Sequence, residues 1–184
     1  MLKLYGGVVS RATIVQWYLE ELEVPYEFVT IDLQVGEQQQ AEFLEINPMG
    51  KVPAIDDEGF KLWESGAILL YLAQKHGKMP DSIEQQAEIY QWVLFANATL
   101  SSGLFNETSR AKETPQLLKP LSDRLQQHPY MMGTEFGVVD VAVGSILGYL
   151  QMMIKLDYSP YPGVMDYVQR MTTRPAFQKV MARR

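Results

Sequence analysis

Asn47-Pro48-Met49-Gly50-Lys51-Val52-Pro53-Ala54-Ile55-Asp56-Asp57-Glu58-Gly59-Phe60-Lys61-Leu62-Trp63-Glu64-Ser65-Gly66-Ala67 is the stretch whose reading decides the fold. It runs as a loop, a strand over Val52–Ile55 interrupted by Pro53, a four-residue turn, a second strand over Phe60–Trp63 and the start of a helix. Proline has no N–H to give a ladder, so Pro53 requires an edge, a bulge or a cis peptide. A cis bond would turn the N–H and C=O of Val52 outward, where an extended peptide can pair with them. Glu64-Ser65 opens a helix, and a helix N-terminus receives carboxylates. A pairing edge beside an anion cradle suits a small acidic peptide.

Toward the N-terminus, Leu2–Tyr5 reads as a strand and Gly6-Gly7 as a turn. Ser10 is the expected N-cap of a helix whose apolar residues Ile14, Val15, Tyr18, Leu19 and Leu22 recur at helical spacing. Tyr26–Leu33 is a second strand, rich in β-branched and aromatic residues. Glu37–Ile46 is a short helical or irregular stretch, and Ser65–Lys75 a helix with Gly77 placed to end it. The order β-α-β-α-β-β-α over residues 1–76 is a thioredoxin-like α/β domain.

Residues 77–83 form a linker, and Ser82 with Gln85 makes a capping box for the next helix. Beyond it no strand alternation survives, so residues 84–184 are expected to be all-α. Ile89, Val93, Ala96 and Leu100 form one helical stripe, with Trp92, Phe95 and Thr99 beside it. Further helices are expected over Pro115–His128, Gly137–Leu156, Gly163–Thr173 and Arg174–Arg184.

Composition narrows the chemistry. Of 184 residues, 47% are hydrophobic and 21% charged, enough apolar material for a substantial core. No cysteine is present, which excludes disulfides, thiolate metal sites and a protein thiol as nucleophile. The net charge is −6, and basic residues gather only at Arg183-Arg184, which argues against nucleic-acid binding. His76 and His128 have no partners at metal-ligand spacing, so no metal is expected. No apolar run reaches the roughly 18 residues of a membrane span, and no leader precedes Leu2-Lys3-Leu4-Tyr5. A cytoplasmic protein without membrane attachment is the expectation.

The run Asn47–Ile55, followed by Glu64-Ser65 and Ala67-Ile68-Leu69-Leu70-Tyr71-Leu72, resembles the glutathione-binding half of glutathione S-transferases. The resemblance covers nearly the whole chain, most densely residues 1–75. It implies that Val52, before Pro53, pairs with the cysteinyl unit of glutathione. It also implies that Ser65 takes the γ-glutamyl carboxylate and Glu64 faces the α-amine. Lys51 is a candidate for the glycine carboxylate. The family usually caps its core helix with a hydroxyl residue three before an aspartate, whereas Gly137 stands three before Asp140 here. Glycine caps only a few tenths of a kcal/mol worse.

A glutathione transferase must form a thiolate near neutral pH from a thiol whose pKa is about 8.5, and each unit of depression takes about 1.4 kcal/mol. A donated hydrogen bond to the charged sulfur supplies about 1.5–3 kcal/mol. A partly buried helix N-terminus adds up to about 2 kcal/mol. Three residues compete as the activating group: Arg11 as a fixed cation, Ser10 as a neutral donor, and Tyr5 at the end of the first strand. The short turn Gly6-Gly7-Val8-Val9 resembles the cyanobacterial chi class, which ranks Arg11 and Ser10 above Tyr5. Each also has a plainer reading: Tyr5 as core, Ser10 as a cap, Arg11 as a surface charge. Val8, Val9, Trp92, Phe95 and Thr99 are candidates for a second-substrate pocket between the domains.

The expected function is conjugation of glutathione to a small hydrophobic electrophile, a detoxification reaction with glutathione as co-substrate and no other cofactor. A homodimer is expected from the family and from the general prevalence of two-fold assemblies. Alternatives are a glutathione-dependent isomerase or dehalogenase, or a binding or assembly module of the same fold without chemistry.

Overall fold

The computed structural model describes residues 1–181, so Arg183-Arg184 lie outside the described residues. Two compact units are present: Met1–Gly77 together with the segment from Pro175, and Lys78–Arg174. The first contains β1 (Leu2–Gly6), α1 (Ala12–Glu21), β2 (Tyr26–Thr30), a 3-10 turn (Glu37–Gln39) and α2 (Ala41–Leu44). These are followed by β3 (Ala54–Asp57), β4 (Phe60–Trp63) and α3 (Ser65–Lys75). The strands form one sheet in the order β2-β1-β3-β4. β1 runs parallel to β2 and antiparallel to β3, and β3 runs antiparallel to β4. This is the thioredoxin-like arrangement expected from the sequence.

Several boundaries differ for physical reasons. β3 begins at Ala54, after the cis Val52–Pro53 bond, because proline cannot enter the ladder. Asp57 pairs with Phe60, so the hairpin turn is two residues rather than four. Glu58 and Gly59 both have positive φ, 56° and 96°, the form that suits the twist of paired strands. β2 stops at Thr30; Ile31 still reaches the Gly6 carbonyl, and Asp32 then turns the chain by accepting the Gln34 N–H at 2.9 Å.

α1 is buried from Ala12 through Leu19, since it packs on α3 and on α9 (Pro175–Met181) as well as on β1. Trp17 meets Phe177 edge-to-face at 5.0 Å, and Lys179 pairs with Glu20. The last helix therefore belongs to the first unit, whereas the sequence reading places everything from 84 to 184 in the helical part. On the other side of the sheet, Phe43, Ile31 and Ala54 form a cluster with Tyr5, Val29, Ile46, Val52 and Trp63 packed against it. At the far end of the hairpin, the buried carboxylate of Asp57 accepts from Tyr71 at 2.7 Å and from Lys75. Burial raises the Asp57 pKa, and the Lys75 and Tyr71 contacts more than reverse this, leaving it below the ordinary range.

The second unit is helical: α4 (Ile83–Leu94), a π-helical segment (Phe95–Leu100), α5 (Ser101–Phe105), α6 (Glu107–Gln127), α7 (Val138–Ile154) and α8 (Pro162–Thr172). Ser82 caps α4 by accepting the Gln85 N–H. α6 starts eight residues before Pro115, capped by Asn106, whose side chain accepts the Thr108 N–H. Pro115 and Pro120 fall on its exposed side, where the carbonyls they strand can be hydrated, so the helix continues through both. α8 approaches α6 closely at Gly163, where a Cβ would stand 2.2 Å from the Ser122 carbonyl oxygen.

α7 supplies the centre of this unit, with Val138 through Gly148 buried without a break. Fully buried Asp140 organises its N-terminus: the carboxylate accepts from the Met131 N–H at 2.8 Å, the Gly137 N–H at 2.9 Å and the Tyr167 hydroxyl at 2.9 Å. Gly137 has no side chain to return the cap, so only the aspartate half of a capping box is made.

Candidate glutathione site

The sheet register assembles the site. Ala54 lies opposite Trp63 in the β3–β4 pair and opposite Tyr5 in the β1–β3 pair. Residues just before Ala54, just after Trp63 and just after β1 therefore emerge at one end of the sheet. These are Lys51-Val52-Pro53, Glu64-Ser65 and Gly7–Arg11, three segments widely separated in the chain.

Glu64 has φ 71° and ψ 116°, a backbone conformation that a residue with a Cβ rarely adopts. The kink turns the chain sharply from β4 into α3, leaving Glu64 exposed and Ser65, 3% exposed, at the first helical position. Ser65 is thus not the cap but a buried hydroxyl at the N-terminus of an eleven-residue helix. Val52 is half-buried against the Phe43 cluster, while Lys51 projects into solvent. The loop before them is tied down by Asn47, which is 1% exposed, and by Gln39. Both escaped the sequence reading, because side-chain amides carry no periodic signal. Gln38 beside them has a buried Oε1 without a hydrogen-bond partner among the described residues.

The three candidates for thiol activation are placed differently. Ser10 precedes the helix by two residues; its hydroxyl donates to the Gly7 carbonyl at 3.0 Å and accepts from the Ala12 N–H at 3.3 Å. Arg11, not Ser10, occupies the N-cap position, with φ −65° and ψ −5°, half-exposed. Tyr5 points to the α2 side of the sheet, where its ring meets Phe43 edge-on at 6.1 Å. Burial, then the carboxylates of Asp56 and Glu27, raise the Tyr5 pKa, an environment unfavourable to a second anion.

Val8 and Val9 are exposed in the turn before α1, at 64% and 69%. In the helical unit, Trp92 and Phe95 meet edge-to-face at 5.5 Å and line a groove of about 210 Å³ with Leu117, Pro120 and Leu121 of α6. Arg124 lies over the Trp92 ring at 5.4 Å. Thr99 is exposed and does not line this groove. The π-helical turn after Leu94 takes more than 3.6 residues, so the Trp92–Phe95–Thr99 stripe expected from α-helical spacing loses its phase. Among the described residues no group of histidine, cysteine or carboxylate side chains could hold a metal ion, and no helix is long and apolar enough to cross a membrane.

Comparison with known proteins agrees with this geometry. Residues 1–74 match the family model for the glutathione S-transferase N-terminal domain, and residues 106–175 the one for its C-terminal domain. Glutathione S-transferase GstB of Escherichia coli is 35% identical over 89% of this chain and 88% of its own length. The disulfide-bond oxidoreductase YfcG of the same organism is 31% identical over 96% and 92%. A glutathione transferase from Burkholderia graminis, crystallised with two glutathione molecules per subunit, superimposes with a TM-score of 0.84 at 26% identity, covering 98% of this chain and 87% of that one. Fold, family models and relatives lead to one conclusion: the chain belongs to the glutathione S-transferase family and is a glutathione-dependent transferase.

Proposed function

We propose that this transferase conjugates the thiol of reduced glutathione to small hydrophobic electrophiles, as a detoxifying homodimer of the cytoplasm. The observation that carries the reading is the convergence of Lys51–Pro53, Glu64-Ser65 and Gly7–Arg11 at one sheet end. The buried Ser65 hydroxyl and the α3 N–H groups take the γ-glutamyl carboxylate, and exposed Glu64 takes the α-amine. The Val52 backbone, held beside Pro53, pairs with the cysteinyl unit, and Lys51 reaches the glycine carboxylate. The thiol gives its proton to water, and the thiolate attacks the electrophilic carbon as the leaving group departs with its electrons. No protein-bound intermediate and no further cofactor is needed. Val8 and Val9 offer apolar surface in the same turn as the activating residues. Light scattering at twice the chain mass supports the dimer, and a monomer mass overturns it.

Thiol activation falls mainly to Arg11, with the α1 N-terminus. The Ser10 proton is engaged at Gly7, and Tyr5 faces the Phe43 cluster. Arg11→Ala should raise the pKa of the pH–rate profile and lower turnover of a chlorinated nitroaromatic by about tenfold, the worth of one unit of thiol pKa. Ser10→Ala should do less, and Tyr5→Phe almost nothing. Turnover abolished by Tyr5→Phe but untouched by Arg11→Ala would assign the role to the tyrosine.

A second reading is favoured by the relatives. The oxidoreductase name of YfcG, and the two glutathione molecules in the Burkholderia graminis enzyme, suit a thiol–disulfide exchange between glutathione and a disulfide substrate. There the thiolate attacks one sulfur and the other leaves as a thiolate, which a chain without cysteine can support. Turnover of a low-molecular-weight disulfide exceeding that of every electrophile tried, isothiocyanates included, would favour this reading.

A further inference from the structure

The loop carrying Lys51 and Val52 has its backbone held from two directions by side-chain amides. Asn47 Nδ2 donates to the Lys51 carbonyl at 2.7 Å, while its Oδ1 accepts from the Met49 N–H at 2.9 Å. Its own carbonyl accepts from the Gly50 N–H at 3.0 Å. From the other side, Gln39 Nε2 donates to the Gly50 carbonyl at 3.1 Å. Two consecutive carbonyls, Gly50 and Lys51, are therefore each taken by a side-chain amide. Neither lies in a helix or strand, since β3 begins only at Ala54.

The fit at Gly50 is specific. Its φ is +60°, and a Cβ built there would stand 2.4 Å from Gln39 Nε2. A side chain at position 50 would displace the very amide that holds its carbonyl. Asn47 is the buried anchor and Gln39 the strap reaching across from the 3-10 turn. Together they close a short ring of hydrogen bonds immediately before the residue whose backbone must meet an extended ligand.

We propose that Asn47 and Gln39 are positioning residues that fix the Gly50–Val52 backbone in its binding geometry before glutathione arrives. Neither amide need touch the ligand. Both act through the carbonyls they hold, so that ordering of the loop is not charged to the binding step. The functional consequence rests on the glutathione reading above; the clamp itself does not.

The test uses the full chain and two variants. In Gln39→Ala, whose side chain is exposed and safe for folding, amide exchange at Met49 and Gly50, whose N–H groups are held by Asn47, should quicken at least tenfold in the ligand-free protein. Glutathione Kd by calorimetry should rise severalfold. Asn47→Asp places a carboxyl against the Lys51 carbonyl, able to donate only while protonated. The ratio of its glutathione Kd to that of the wild type, measured where circular dichroism shows the variant folded throughout, should therefore climb as pH rises between about 4 and 8. Unchanged exchange at Met49 and Gly50 in Gln39→Ala overturns the clamp, as does a pH-independent Kd ratio for Asn47→Asp. If the wild type binds no glutathione, the functional reading fails while the exchange rates still decide the clamp.

Discussion

Asp140→Ala is expected to destabilise the protein by about 3 kcal/mol or more, the largest single loss anticipated in the helical unit. Three donors converge on this carboxylate: the Met131 and Gly137 N–H groups and the Tyr167 hydroxyl. Leaving a buried donor unmatched costs about 1–3 kcal/mol, and Met131 and Tyr167 are both inaccessible to replacement water. Burial pushes the Asp140 carboxyl above its ordinary range, while these donors and Arg174 pull it back, so the group is held in place by its partners rather than by solvent. Asp140→Asn keeps one acceptor but turns an N–H toward Gly137, and should fall between wild type and alanine. Urea denaturation with an unchanged slope measures both. A loss under about 1 kcal/mol for the alanine variant would show that the network contributes little.

Ser65→Ala should weaken glutathione binding by roughly 1–3 kcal/mol, a five- to 150-fold rise in Kd, with little effect on stability. The separation of the two effects follows from position. Glu64 occupies the N-cap and Ser65 the first helical turn, so the hydroxyl is not required to start α3. Alanine is also the better helix former. Yet the side chain is 3% exposed at a helix N-terminus, where a charged acceptor deprived of it finds no water to take its place. Calorimetry on the variant, beside its thermal midpoint, decides. A Kd within twofold of wild type, or a loss of affinity matched by loss of fold, would remove Ser65 from the site.

The residues that the sequence revealed are those whose chemistry is local. Pro53 announces an interrupted ladder wherever it stands, and Ser65 announces a helix start, so the hairpin and the start of α3 could be read directly. The turn between them was harder, since Asp56-Asp57-Glu58-Gly59 looks like four turn residues until pairing puts both aspartates in β3. The helix expected over Pro115–His128 begins at Glu107; that Pro115 lies on the wet side of a longer helix depends on tertiary packing. Thr99 lost its expected neighbours to a π-helical turn that no periodicity announces. The contact of the Tyr5 ring with Phe43 likewise depends on the fold and carries no signal in the sequence. Asn47 and Gln39 were illegible for a related reason: their partners are backbone carbonyls, which every residue has.

The packing of α9 on α1 has a consequence for synthesis. Trp17, 1% exposed in the finished fold, is covered in part by Phe177, so one wall of its pocket is made 160 residues after the other. At translation rates of about 5–20 residues per second, the hundred residues from Gly77 to Phe177 occupy roughly 5–20 s. Throughout that interval the sheet and α3 have been delivered by the ribosome while the indole of Trp17 lacks its lid. The part of the polypeptide translated first is thus among the last to become complete.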